Sequence, residues 1–175
     1  MSPEEDASRP TVELSVEDPA FTALLPDAEE LARRLLAVTL AEAAPHLVGR
    51  ALEVGVRLVD DAAIRELNRT FRHVDRPTDV LSFPALAPGE VERPPELPHP
   101  LPLGDVVIAR ETLEREAACL GRPVRDHFAH LLVHGLLHLL GHDHVEEAEA
   151  ERMEALESRI LRRLGFADPY AEAAS

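Results

Sequence analysis

The fold and the chemistry of this sequence centre on residues 134–144, which read HGLLHLLGHDH. Four histidines and one aspartate fall within these eleven residues, at the end of a run, residues 128–140, that otherwise has the composition of a hydrophobic core. His134 and His138 are four positions apart, so on a helix their side chains project from one face, one turn apart. Gly141 can take the left-handed conformation that ends a helix, and the returning chain then brings His144 towards the same point.

Three imidazoles that converge and leave a fourth position open form the ligand set of a catalytic zinc site. Burying such rings side by side without a shared cation leaves polar groups unpaired, at a cost of about 1–3 kcal/mol each. The pattern therefore predicts one zinc ion held by His134, His138 and His144. His142 is an alternative to His144 as the third ligand, and Asp143 is either a partner of a ligand or a turn residue.

The spacing H-x-x-x-H-x-x-G-x-x-H matches the ligand frame of the metzincin proteases, and it includes Gly141. In those proteases a glutamate follows the first histidine and serves as general base, whereas Gly135 stands at that position here. Met153 lies inside a helical pattern and is no candidate for the methionine turn of that class. Water on zinc ionises near pH 7 without a glutamate, so hydrolysis stays plausible while peptide hydrolysis by the standard route is disfavoured.

A group of arginines suggests a different substrate. A phosphodiester needs positive charge on the oxygens of its transition state, and the fork of an arginine matches phosphate geometry. Arginines at steps of four, three and four form one basic stripe, provided that the helix beginning after Asp60 continues far enough. A solvated helix face is the ordinary interpretation, but beside a metal site the residues favour phosphodiester hydrolysis over proteolysis. The stripe consists of Arg65, Arg69, Arg72 and Arg76.

The negative charge of this chain is unevenly distributed, and this matters for whether RNA can be a partner. The net charge is −15, and all 18 basic residues are arginine. Acidic residues are concentrated in the two ends, whereas residues 31–142 carry 15 acidic residues and 13 arginines. Because the local potential governs a binding cleft, the total charge does not exclude RNA.

The hydrophobic pattern predicts a single domain of mixed strands and helices over residues 11–170, with tails at residues 1–10, expected to be disordered, and 171–175. Alternating apolar residues predict strands at 11–16 and 52–58, and further strands are predicted at 80–84 and 103–109. Helices are predicted over 27–44, after Asp60 with an apolar face of Ile64, Leu67 and Phe71, over 111–120, from Pro123, and over 146–164. Residues 84–102 hold 7 of the 15 prolines and are expected to form a long loop or hairpin excursion. This order indicates an α+β fold, a small mixed β-sheet flanked by helices.

The remaining features predict a cytoplasmic protein with no membrane partner. No apolar run reaches the length of a membrane span, and the acidic N-terminus lacks the features of a signal peptide. The single Cys119 excludes an internal disulfide. His127 and His130 are interpreted as hydrogen-bonded core residues. Asp79 and Ser82 are expected near the cleft or in capping and core roles.

Residues 67–84, LNRTFRHVDRPTDVLSFP, resemble the hallmark segment of the YbeY endoribonuclease family of rRNA maturation factors. Residues 104–108, the histidine stretch and the segments 153–157 and 164–170 are similar to further parts of that family in the same order. The resemblance implies a mixed sheet with flanking helices, similar to zincins. It implies zinc ligands at His134, His138 and His144, and at Arg72 the arginine implicated in ribonuclease activity.

The resemblance also implies a function. It indicates a single-strand-specific, zinc-dependent endoribonuclease that acts in small-subunit rRNA 3′-end maturation and in ribosome quality control. The implied partners are precursor rRNA and the small ribosomal subunit or its assembly factors. Two alternatives stay open: a zinc metallopeptidase with the metzincin-like ligand frame, and a non-catalytic ribosome-assembly factor stabilised by zinc.

The sequence departs from the family pattern at two positions. His142 stands where the family usually has tyrosine. Val74 replaces a common lysine, which removes a positive charge near Arg72. RNA affinity then depends more on Arg69 and Arg76, if they face the cleft.

Overall fold

The structure is a computed structural model that describes residues 10–171. The expected tails, residues 1–10 and 171–175, lie outside the described residues apart from Pro10 and Ala171. Within the described range the chain forms four strands, six α-helices and one short 3₁₀ helix, Pro45–Leu47. The strands are β1 (Thr11–Val16), β2 (Leu52–Val59), β3 (Val80–Pro84) and β4 (Leu101–Ala109). The helices are α1 (Ala20–Leu24), α2 (Ala28–Ala43), α3 (Asp61–Arg72), α4 (Arg110–Leu120), α5 (Val124–Leu139) and α6 (Glu147–Arg163).

The four strands form one mixed sheet in the order β1-β2-β4-β3. β1 and β4 both run parallel to β2, whereas β3 lies antiparallel at the edge, with Val80 opposite Ile108 and Pro84 opposite Gly104. The proline-rich segment, residues 85–100, therefore connects two antiparallel neighbours, as the hairpin interpretation predicted. The predicted α+β class, a small mixed sheet flanked by helices, is confirmed.

The sheet has apolar side chains on both faces because consecutive residues of a strand point to opposite sides. On one face, Val106 and Ile108 of β4 join the main core, to which α2, α5 and α6 contribute. On the other face, Val107 packs with Val59 and with Ile64 of α3. The histidine helix α5 and the arginine helix α3 therefore lie on opposite faces of the sheet, and edge strand β3 lies between their ends.

Helix α3 starts where the sequence predicted and ends earlier than a four-arginine stripe requires. The carboxylate of Asp60 accepts a hydrogen bond of 2.8 Å from the backbone N–H of Ala63, which caps the first turn. At the other end His73 takes the left-handed conformation, φ 60°, and stops the helix after Arg72. The condition for one stripe reaching Arg76, a helix that continues that far, is therefore not met. Phe71, assigned to the apolar face, is 56% exposed and contacts the ring of Phe83 edge-on.

Helix α5 lies unusually close to the sheet and ends as its sequence predicted. A Cβ atom added to Gly135 would lie 2.6 Å from Cγ1 of Val106, so only glycine fits between this helix and β4. At the end of α5, Gly141 has φ +93° and donates its N–H to the carbonyl of His138. His142 N–H bonds back to the carbonyl of Leu137, which completes the helix cap. Among the described residues no helix is both long and apolar enough to span a membrane.

Candidate metal centre

Three histidines meet at the end of α5. His134 and His138 lie one turn apart on the helix, and the turn at Gly141 returns His144 to the same side. One ring nitrogen of each residue lies within 4.8 Å of the corresponding nitrogens of the other two. Among residues 10–171 this is the one group of three or more His, Cys, Asp or Glu side chains that converge closely enough to hold a metal ion.

The hydrogen-bond partner of the His134 ring, Glu157, determines which ring nitrogen carries a proton. Nδ1 of His134 lies 2.6 Å from Oε1 of Glu157, a side chain of α6 that is 0% exposed. Burial by itself raises the pKa of Glu157, but hydrogen bonds from His130, His134 and Tyr170 outweigh it and hold the pKa at about 2. Since a carboxylate only accepts, Nδ1 of His134 carries a proton, and in the neutral ring Nε2 then presents a lone pair.

The second ring is fixed in the same way by a different acceptor. Nδ1 of His138 donates to the backbone carbonyl of His142 at 2.9 Å, so its Nε2 also presents a lone pair. Burial lowers the pKa of His138, and the neighbouring His134 and His144 lower it further, which favours the neutral ring.

Nε2 of His134 and Nε2 of His138 face each other at 3.1 Å. When both rings are neutral, these nitrogens have no proton to share and repel each other, and a cation bound to both removes the repulsion. Two ligands of a tetrahedral metal with bonds of about 2.1 Å are about 3.4 Å apart, close to the separation between His134 and His138. The donor chemistry therefore fits a metal ion.

The loop after α5 supplies the third nitrogen from His144. This side chain is 58% exposed, and its ring centroid lies 5.1 Å from that of His138 and 5.5 Å from that of His134. His142 contributes its backbone carbonyl to the arrangement, and its ring is outside the group of converging nitrogens. Asp143 accepts a 2.7 Å hydrogen bond from the backbone N–H of His144, which is the behaviour of a turn residue.

A single arginine of the predicted stripe reaches the histidines. Arg72, the last residue of α3, lines the same cleft of about 490 Å³ as His134, His138 and His144. Its Nη2 donates to the backbone carbonyl of Ser82 at 2.8 Å, and its guanidinium lies 5.3 Å from the centre of the Phe83 ring. Edge strand β3 thus holds Arg72 opposite the metal ligands. This cleft, which Asp79 and Ser82 also line as expected, is called the metal cleft below.

The other three arginines lie outside the residues that line the metal cleft. Arg65 pairs with Asp75 at 2.8 Å, and Arg69 pairs with Glu66 at 2.7 Å, all four side chains being largely exposed. Arg76 lies beyond the end of α3, where its backbone carbonyl accepts a hydrogen bond from Asn68. Roles for Arg65, Arg69 and Arg76 in RNA binding therefore stay predictions.

The missing protease glutamate has a packing explanation. Position 135 faces the sheet, where an added Cβ would meet Val106 at 2.6 Å and the hydroxyl of Ser82 at 3.1 Å. That hydroxyl already donates to the carbonyl of Gly135 at 3.2 Å. A glutamate at this position has no room to reach the metal cleft with the helix as it lies.

Two residues that contact the histidines of α5, Glu157 and Glu116, were not identified from the sequence patterns. Glu157 accepts hydrogen bonds from His134, from His130 at 2.9 Å and from the hydroxyl of Tyr170. Its signal in the sequence is a charged residue on the apolar face of α6, between Met153 and Ile160. Glu116 bonds to buried His127 at 2.9 Å. The interpretation of His127 as a hydrogen-bonded core residue is thereby confirmed.

A mixed sheet covered by helices, with three histidines converging at a helix end, defines an α+β protein with a candidate metal site. The family is identified by comparison with known sequences: the model of the family described as Endoribonuclease YbeY matches residues 20–165. The chain belongs to the YbeY family.

Individual relatives agree with this assignment. The chain is 49% identical over 146 residues to the Endoribonuclease YbeY of Sinorhizobium fredii, covering 81% of this chain and 82% of the relative. It is 47% identical over 165 residues to that of Paramagnetospirillum magneticum, covering 93% and 98%. The solution structure of TM1509 from Thermotoga maritima superposes with a TM-score of 0.54 at 23% identity, covering 93% of this chain and 100% of that one. This structure shares the fold.

Proposed function

We propose that this protein is a zinc-dependent endoribonuclease that cleaves single-stranded RNA. The observation that carries the proposal is that Arg72 and three histidines fit for a metal line one cleft. The Endoribonuclease YbeY proteins, to which the chain is 46–50% identical, support the activity by their family name. Three imidazole ligands with an open position favour zinc as the metal.

His134, His138 and His144 would hold the metal, and the arginine would hold the substrate. A zinc ion in this position supplies Lewis-acid chemistry, which activates a water molecule or polarises a phosphoryl oxygen. Arg72 donates one N–H to the carbonyl of Ser82, and its guanidinium has further N–H groups that can bind phosphoryl oxygens. Charge placed where the phosphoryl oxygens become more negative lowers the barrier to cleavage.

The shape of the site favours a single strand. His134 and His138 are only partly exposed, and Arg72 faces them across the metal cleft. A flexible single strand can turn one phosphate into such a recess, whereas the phosphates of a duplex follow a fixed surface. Precursor rRNA of the small subunit, processed at its 3′ end and monitored in ribosome quality control, is the substrate that membership of the YbeY family supports. Small-subunit proteins or assembly factors are the partners that accompany this role.

The two alternative functions explain the structure less well. A metallopeptidase of the metzincin kind needs a general base after the first histidine, and Gly135 packs against Val106 there. A purely structural zinc site is closed by four protein ligands, whereas the His142 ring is outside the cluster and His144 is exposed.

The experiment measures the zinc content of one protein preparation and then its cleavage of three substrates. The substrates are a single-stranded RNA, the same RNA in a duplex, and casein. We expect cleavage of the single strand, with little of the duplex and none of casein. Chelation should abolish the cleavage and zinc should restore it. Cleavage of casein alone would establish the peptidase, and stoichiometric zinc without any cleavage would establish the structural module.

A further inference from the structure

A second cavity adjoins the metal cleft. It has a volume of about 670 Å³, and its lining includes Asp79, Val80 and His134, which also line the metal cleft. A polymer with one phosphate at the histidines therefore has its neighbouring groups at the entrance of this second space, called the side cavity below. The side cavity is built from α4, α5 and the start of β3.

The walls of the side cavity suit a flat, partly apolar ligand. Leu120 of α4 is 53% exposed and lines it, together with Val80 and Leu131. Tyr170 also lines the side cavity, and this aromatic residue is 42% exposed. Aromatic and apolar surfaces of this kind are what a nucleobase of single-stranded RNA stacks upon.

Polar groups converge within the same lining. Glu116 lines the cavity together with Asp79, and it hydrogen-bonds Nε2 of His127 at 2.9 Å. His127 is 4% exposed, and its Nδ1 has no hydrogen-bond partner among residues 10–171. An apolar cavity with a few convergent polar groups is the usual form of a small-ligand site, and the proposed reaction at the histidines has no use for Glu116 or His127.

The charge of the carboxyl pair is compatible with a nucleic acid. Burial and the adjacent Asp79 carboxylate raise the pKa of Glu116 to about 7, so this side chain carries less than a full negative charge near neutral pH. Asp79 and Glu116 both place carboxyl oxygens, which accept hydrogen bonds, in the lining. Among the four RNA bases, only guanine has two adjacent N–H donors on its Watson–Crick edge, and these match two carboxyl oxygens.

We propose that the side cavity is a nucleobase subsite, which binds a guanine of the RNA strand whose phosphate lies in the metal cleft. The inference rests on the proposed ribonuclease function for its substrate, and it adds a base preference to it. Asp79 and Glu116 form the hydrogen-bonding floor, and Tyr170 and Leu120 contact the faces of the base.

The first experiment measures cleavage by the zinc-loaded protein. The substrates are oligouridylates that carry one guanosine, or one adenosine, at a fixed internal position. We expect cleavage next to the guanosine to be about tenfold faster or more than next to the adenosine, the discrimination of a well-formed bidentate contact. Glu116→Gln should abolish most of this preference. The matched control is Glu114→Gln on the same helix, whose carboxylate pairs with Arg110 outside the cavity.

The second experiment measures binding without cleavage. Cys119 is the only cysteine, is exposed, and lines the side cavity. Its rate of reaction with a thiol reagent should fall on addition of guanosine monophosphate and change little with adenosine monophosphate. Glu116→Gln should remove this protection, while Glu114→Gln should keep it.

The outcomes separate this inference from the proposed function. Equal cleavage beside guanosine and adenosine, or the same preference in the Glu116→Gln variant, overturns the subsite and leaves the ribonuclease intact. If zinc-loaded protein cleaves no RNA, the proposed function fails, and Cys119 protection alone then decides the subsite. If guanosine and adenosine monophosphate protect Cys119 equally, or if neither protects it, the guanine subsite is then contradicted.

Discussion

Oε1 of Glu157 lies 2.6 Å from Nδ1 of His134, although the two residues belong to different helices and are 23 positions apart. The carboxylate is fully buried and accepts a proton from Nδ1, so Nε2 is the nitrogen of this histidine that faces His138 at the candidate metal site. Partners of this kind orient a metal ligand and make it more basic. The site therefore depends on α6 as well as on the histidine helix.

Replacing Glu157 with glutamine should weaken metal binding by about 10- to 100-fold, because the amide no longer fixes the proton on Nδ1 of His134. Zinc affinity is measured by competition with a chromophoric chelator. Glu151→Gln, a change of an exposed side chain on the same helix, is the control and should leave the affinity unchanged. Equal zinc affinities for Glu157→Gln and wild type would contradict the proposal that Glu157 positions His134.

Replacing Arg72 with alanine should lower kcat for single-stranded RNA by about 100-fold or more, the usual loss when one stabilising donor is removed. Zinc content should not change, because Arg72 bonds to the carbonyl of Ser82 and to no histidine. Arg33→Ala is the matched control, since Arg33 pairs with Glu29 on α2, outside the lining of the cleft. Full activity in the purified Arg72→Ala protein would contradict the assignment.

Replacing His138 with alanine should abolish stoichiometric zinc binding and the stability that comes with it. Zinc at 100 times its Kd raises the free energy of unfolding by about 2.7 kcal/mol in a protein that binds it only when folded. Urea unfolding with and without zinc should show this difference in the wild type and not in the variant. His142→Ala should retain it, because only the backbone carbonyl of His142 belongs to the site. Loss of zinc from His142→Ala would mean that its ring is a ligand.

Replacing Glu116 with glutamine should change the pH dependence of stability. The pKa of Glu116 is raised from 4.5 to about 7 in the folded protein. The favourable contribution of its protonated form is therefore complete below pH 4.5 and is lost as the pH rises through 7. The variant should gain stability relative to wild type between pH 5 and pH 8 in urea unfolding. A difference independent of pH would show that Glu116 does not titrate in this range.

Replacing Gly135 with alanine should destabilise the protein by about 1–3 kcal/mol, the usual cost of overpacking a core. The added methyl group would lie 2.6 Å from Val106, so α5 must move away from β4. Urea unfolding measures the loss. A double-mutant cycle with Val106→Ala should show a favourable coupling energy, since the smaller side chain makes room. If the changes in the free energy of unfolding are additive, the contact with Val106 is not the cause of the destabilisation.

Much of the fold follows from local patterns in the sequence. Apolar alternation located β1 and β2, and Asp60 and Gly121 marked a helix start and a helix end correctly. The order of the strands and the reversed direction of β3 could not be obtained in this way, because they depend on contacts between distant segments. The early end of α3 also escaped prediction, since a histidine in the left-handed conformation is uncommon.

The site was predictable where its residues are close in sequence. The spacing of His134, His138 and His144 brings their nitrogens together because a helix and one glycine turn determine the path. Glu157 and Glu116 reach the two cavities from other helices, and no local pattern connects them to the histidines. In the sequence of α6 alone, the signal for Glu157 is a charged residue on an otherwise apolar helix face.

Tyr170 is the only tyrosine, and the sequence contains no tryptophan. Its hydroxyl bonds to Glu157, the same carboxylate that holds the first metal-binding histidine. The ultraviolet fluorescence of the protein is thus dominated by a ring two hydrogen bonds away from the metal position. A carboxylate acceptor quenches tyrosine emission, so a change in the Glu157–His134 bond on metal binding alters the signal. Metal binding at the proposed site would therefore change the emission of Tyr170, and no label would be needed to follow it.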